Sequence, residues 1–159
     1  MMGETYTQQL GRLVGNFHSL EFVLRLYLQQ LTGARPIGLP HGTNIYEFPV
    51  GTQLPLSEMT SYDSLGLLIN RFNREMIELS RQKLDVKLVE IRDALAHGRV
   101  SASSRHGHLR LLKFDKPRGG NVRVAFNQEL SVAWLEEQTE RVYTAIQAVA
   151  AQIAMQQAT

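Results

Sequence analysis

Apolar residues return at steps of three and four along four stretches of this chain, and near residues 109–126 the spacing shortens towards alternation. The first stretch runs from about Tyr6 to Thr32. Leu10, Val14, Phe17, Leu24, Leu28 and Leu31 form one stripe, widened by Leu13, Leu20 and Tyr27. Such spacing predicts an amphipathic helix with that stripe buried. Glu21 is the one charged residue on it, and Gly33 suits a left-handed cap at its end.

Thr60 and Asp63 have capping-box spacing, so a second helix is expected from about Ser61, with Leu65, Leu68, Ile69 and Phe72 turned inward. A third helix carries Leu84, Leu88, Ile91 and Leu95 and stops at Gly98. The pattern leaves open whether residues 76–81 break or continue the helix before it. HLRLLKF and NVRVAF, with KPRGG near their join, read as a β-hairpin. A last helix follows Ser131, a good N-cap, and buries Leu135, Val142, Ile146, Val149 and Ile153.

Between the first two helices, residues 34–56 hold Pro36, Pro40, Pro49 and Pro55 together with Gly38, Gly42 and Gly51. Proline removes donors and glycine permits unusual dihedrals, so an irregular loop is expected. It reads either as a surface connection or as a functional lid. The pattern as a whole predicts an all-α fold: one domain over residues 1–159, a bundle of about four main helices, and a small β-hairpin over 100–127 before the last helix.

Composition narrows the class. The chain contains no cysteine, which excludes disulfides and thiolate metal sites. No apolar run is long enough to span a membrane, and MMGETYTQQL lacks the pattern of a signal peptide. A cytoplasmic protein with no membrane partner is the expectation. The net charge of +2 is mild, but Arg105, His106, His108, Arg110, Lys113, Lys116, Arg118 and Arg123 crowd one segment against Asp115 alone. That segment suits either a phosphate backbone or a sheet edge protected by charge. His106 and His108, two apart, read as a metal pair or as solvated hairpin residues.

The third helix carries the candidate chemistry. At about 100° per residue, Arg92 flanks the buried face. Asp93 and His97 lie nearly opposite it, one turn apart, and share that side with Val86 and Val89. A second face of this kind suits a partner or a ligand; a plain surface pair of Asp93 with a helix-end His97 is the simpler alternative. Glu21 reads either as a partner for Arg92 across the bundle or as a local partner of Arg25 or His18.

The run R-D-A-L-A-H-G, Arg92 to Gly98, resembles the signature of the HEPN superfamily: Arg, commonly a polar residue next, and His after four to six intervening residues. Asp93 stands where that family often has Asn. The order of helices is also similar to HEPN, although the proline-rich loop and the basic hairpin are not accounted for.

The resemblance implies a metal-independent endoribonuclease, a toxin or defence effector, whose composite active site forms where two copies meet. His97 would serve as general acid or base, Arg92 would hold the scissile phosphate, and Asp93 would orient one of them, with Glu21 in support. An imidazole suits this work because it titrates near neutral pH. RNA would also be met by Arg110, Lys113, Lys116, Arg118 and Arg123. No cofactor and no metal are expected; a homodimer and an antitoxin-type protein are the expected partners. The alternative is a non-catalytic dimerisation or ligand-binding module of the same kind.

Overall fold

The computed structural model describes residues 2–32, 47–102 and 109–158. Gly33, residues 34–46 of the proline-rich loop, Arg105, His106 and His108 lie outside the described residues.

Helix α1 (Met2–Leu31) is the spine. Its buried apolar residues are Leu13, Phe17, Leu20, Leu24, Tyr27 and Leu28, while Val14 and Leu31 are 38% and 42% exposed. The stripe is thus centred on residues expected only to widen it. Helix α4 (Val132–Gln157) packs along it and buries Leu135, Val142, Ala145 and Val149, leaving Ile146 and Ile153 partly covered. Gln138 is buried as well and accepts a hydrogen bond from Arg141, whose guanidinium also reaches Asp85 at 2.7 Å. Asp85 is held below the usual carboxylate range, first by the Lys87 backbone N–H and then by Arg141. The Ser131 side chain accepts from Trp134 N–H and starts α4, as a serine N-cap should.

Helix α2 (Leu65–Glu78) begins four residues later than the capping-box spacing suggested. Ser64 is the N-cap, and Thr60 closes a preceding turn by accepting from Ser57 N–H. Residues 58–63 are tied to the helices. Arg25 donates to the carbonyls of Glu58 and Asp63 and to Ser61 Oγ, and Arg71 bridges Glu58 and Asp63. Helix α2 ends at Leu79, so residues 76–81 are a break. Ser80 adopts a left-handed φ of 53°, Arg81 N–H donates to Met76 O, and Ser80 N–H donates to Ile77 O. This is a Schellman stop built without glycine.

Helix α3 (Lys87–His97) buries Leu88, Ile91 and Ala94, with Leu84 covered just before it and Leu95 only partly covered. Ala94 is fully buried where α3 lies against β2, whereas Leu95 is only partly covered. Asn73 on α2 holds the approach to α3. Its Nδ2 donates to Leu84 O at 2.9 Å, and Leu84 N–H donates to its Oδ1 at 2.7 Å.

The all-α class with a two-stranded hairpin does not hold. The chain is mostly helical but carries a three-stranded antiparallel sheet, in the order β1 (Arg99–Ala102), β2 (Leu109–Phe114), β3 (Val124–Glu129). Strand β1 follows α3 directly and pairs Arg99 with Leu112 and Ala102 with Leu109. It escapes pattern reading because all four of its residues are exposed, so it shows no apolar alternation. Its backbone pairing alone defines it. The sheet therefore spans 99–129 rather than 100–127.

Gly98 makes the helix-to-strand junction possible. A Cβ there would stand 2.3 Å from the Ala94 carbonyl oxygen and 2.7 Å from Leu111 Cδ1. Its backbone is extended, so the need is for space rather than for unusual dihedrals. Among the described residues, no helix is long and apolar enough to cross a membrane.

Candidate functional site

Arg92, on the α1 side of α3, is partly buried. Its Nε donates to Glu21 Oε1 at 2.9 Å, joining residues 71 positions apart. The pair across the bundle is therefore the one that forms, and Arg25 is spent on the loop before α2 instead. A charged residue on the apolar stripe of α1 is tolerated because a guanidinium faces it. Both side chains border a small groove of about 170 Å³ that includes Val14, His18, Leu95 and Ala96.

Asp93 behaves differently from the expectation of a pair with His97. Among the described residues its partners are Arg92, at 3.5 Å, and Lys113, at 3.8 Å. The result is a chain of alternating charge, Lys113–Asp93–Arg92–Glu21, running from the sheet across α3 to α1. His97 is exposed in the last turn of α3 and makes no hydrogen bond or ion pair among the described residues. The structure thus gathers Glu21, Arg92 and Asp93 into one network and leaves His97 free at its end. The predicted second face is only partly bare: Val86 is exposed, whereas Val89 packs against the core near Gly66.

The basic residues do not form one surface. Strand alternation places Leu111 and Lys113 on the side facing α3, and Arg110, Leu112 and Phe114 on the other. Arg110 donates to Asn127 Oδ1 and lies 3.9 Å from Glu129, while Arg123 is paired with Asp115 at 2.6 Å. Arg99, which sequence reasoning did not single out, sits 5.5 Å from the Phe114 ring. Lys116 and Arg118, at the exposed turn, have side chains without a hydrogen bond or ion pair among the described residues. Lys113 was expected to meet phosphate; the signal for its actual contact was its even spacing from Leu111, which puts it on the covered face.

Among the described residues, no group of three or more His, Asp or Glu side chains could hold a metal ion. What Arg92 and His97 can do chemically is acid–base work by an imidazole and charge stabilisation by a guanidinium, at one end and one flank of the same helix. No protein-family model, no curated protein and no solved structure matches this chain.

Proposed function

We propose that this protein is a metal-independent endoribonuclease of HEPN type, with its active site completed by a second copy of the chain. The observation that carries the reading is the half-buried Arg92–Glu21 pair, which holds a guanidinium in place about one and a half turns from an unengaged His97. An imidazole left free of partners is available for proton transfer, and a guanidinium fixed by a carboxylate is pre-oriented for a phosphate. The groove beside Arg92 exposes Val14 and Ala96, an apolar edge that a second copy covers. Lys116 and Arg118 supply phosphate contacts away from the chemistry. The setting that fits such an activity is a cytoplasmic toxin or defence effector checked by an antitoxin-type protein.

A second reading has its own supporting observation. The Arg92 guanidinium already has two carboxylate partners, Glu21 and Asp93, as a non-catalytic dimerisation or ligand-binding module would allow.

Three measurements test the first reading. Native protein should be a dimer by light scattering and should cleave single-stranded RNA in excess EDTA. A monomer at high concentration, or cleavage that stops on chelation, counts against it. RNA affinity should fall steeply with salt, and replacing Lys116 and Arg118 together by Ala should flatten the log–log slope by about 1.4, at roughly 0.7 per phosphate contact on a single strand. An unchanged slope would make the hairpin turn a solvated edge only.

A further inference from the structure

On the other side of α3, between that helix and the β2–β3 pair, lies a cleft of about 370 Å³ that the chemistry above does not use. Its volume falls at the small end of the range for small-molecule sites, about 300–1,000 Å³. Val89 and Phe126 supply apolar wall, and Phe126 is only partly buried, so an aromatic surface remains accessible. Most of the charged groups lining it are already satisfied. Asp93 is bridged by Lys113, and Asp115 by Arg123. Glu90 is the exception: among the described residues its carboxylate has no hydrogen bond or ion pair. Glu90 and Asp93 are three residues apart on α3, so the cleft takes in Asp93 of the Arg92–His97 segment but neither Arg92 nor His97.

An unpaired carboxylate beside an aromatic wall selects a flat ligand that offers two donors side by side. Among the RNA bases only guanine does so, through N1–H and the N2 amino group, which match the two oxygens of a carboxylate. Adenine and cytosine set an acceptor next to their amino group, and uracil flanks its one N–H with two carbonyls. Each of those would bring an oxygen or nitrogen lone pair against Glu90. We infer that this cleft binds a guanine base of single-stranded RNA, read by Glu90 and stacked on Phe126, next to the Arg92–His97 end of α3. The inference rests on the ribonuclease reading and gives it a base preference, yet base binding can be measured where no RNA is cleaved.

The experiment is an NMR titration of ¹⁵N-labelled full-length protein with the four nucleoside 5′-monophosphates and with inosine 5′-monophosphate. Guanosine monophosphate should move the amide signals of Val89, Glu90, Lys113 and Phe126 and bind at least about tenfold more tightly than the adenine, cytosine and uracil nucleotides. Inosine monophosphate, which keeps N1–H but lacks the amino group, should fall between. Glu90→Gln should erase the preference while melting like the native protein, because Glu90 is exposed. Phe126→Leu should weaken all the nucleotides together through lost stacking. Equal binding of all bases overturns the inference. So does a guanine preference that survives Glu90→Gln, or nucleotide affinity unchanged by Phe126→Leu. Tighter, Glu90-dependent binding of an arginine-rich peptide than of guanosine monophosphate also overturns it, as the cleft would then be a seat for a cationic protein segment. Guanine binding without any RNA cleavage would keep the inference and sink the nuclease reading; cleavage without guanine binding would do the reverse.

Discussion

His97→Ala is expected to lose at least about a hundredfold in RNA cleavage, the smallest share usually carried by general acid–base catalysis. Its fold should survive almost unchanged. The side chain is exposed at the end of α3 and has no partner among the described residues, so its removal opens no cavity and strands no polar group. What is lost is an exposed side chain at the helix C-terminus, worth about 1 kcal/mol or less. Arg92→Ala should be equally inactive but less clean. It leaves Glu21, whose side chain is only 20% exposed, without its guanidinium partner, at a cost of about 1–3 kcal/mol. Arg92→Lys is the informative companion. It keeps a positive charge near Glu21 but cannot offer a phosphate the planar fork, so stability should recover further than activity. The assay compares cleavage of single-stranded RNA in EDTA with thermal melts of the same preparations. Equal weak cleavage by native protein and variants would point to a contaminant and favour the non-catalytic module. A large fall in melting temperature for His97→Ala would make that residue part of a structural network.

Asn73→Ala should destabilise the protein by about 2–4 kcal/mol. Asn73 is 8% exposed, and its amide answers both backbone groups of Leu84, itself 7% exposed. Removing the amide leaves a buried N–H and a buried C=O unpaired, each costing about 1–3 kcal/mol. Relaxation of the Leu84 backbone towards water sets the total below the sum of the upper limits. For a domain of this size, 1 kcal/mol moves the melting temperature by about 2–4 °C, so a fall of roughly 5–15 °C is expected. Urea unfolding should show a lower midpoint with an unchanged slope, since the surface exposed on unfolding stays the same. A shift under 2 °C would mean that solvent already reaches the Leu84 backbone. The clamp also matters for function: it fixes the chain three residues before α3 begins, and with it the rotation of the helix that carries Arg92, Asp93 and His97.

Several features of this protein follow from its sequence alone. Steps of three and four mark the helices because burial of one face is a local property of a 3.6-residue period. Ser131 as a cap and Gly98 as a stop are legible for the same reason, since each acts on its own helix end. Glu21 stood out as a misfit on an apolar stripe. Arg92 was one of its candidate partners, but the choice against Arg25 or His18 was not legible, because a contact across 71 residues depends on how α1 and α3 cross; packing chose Arg92 and gave Arg25 to the loop. Tertiary structure likewise turned Asp93 towards Lys113 rather than His97, and divided the basic hairpin between two faces and a turn. It alone created β1, whose exposed residues carry no apolar pattern and whose order comes from hydrogen bonds to β2. It also gave Asn73 and Gly98 their weight: one satisfies a buried backbone segment eleven residues away, and the other leaves room for Leu111 from a neighbouring strand. Periodicity reports which side of an element avoids water, whereas pairing, clamping and close approach are decided by whatever the folded chain brings to that side.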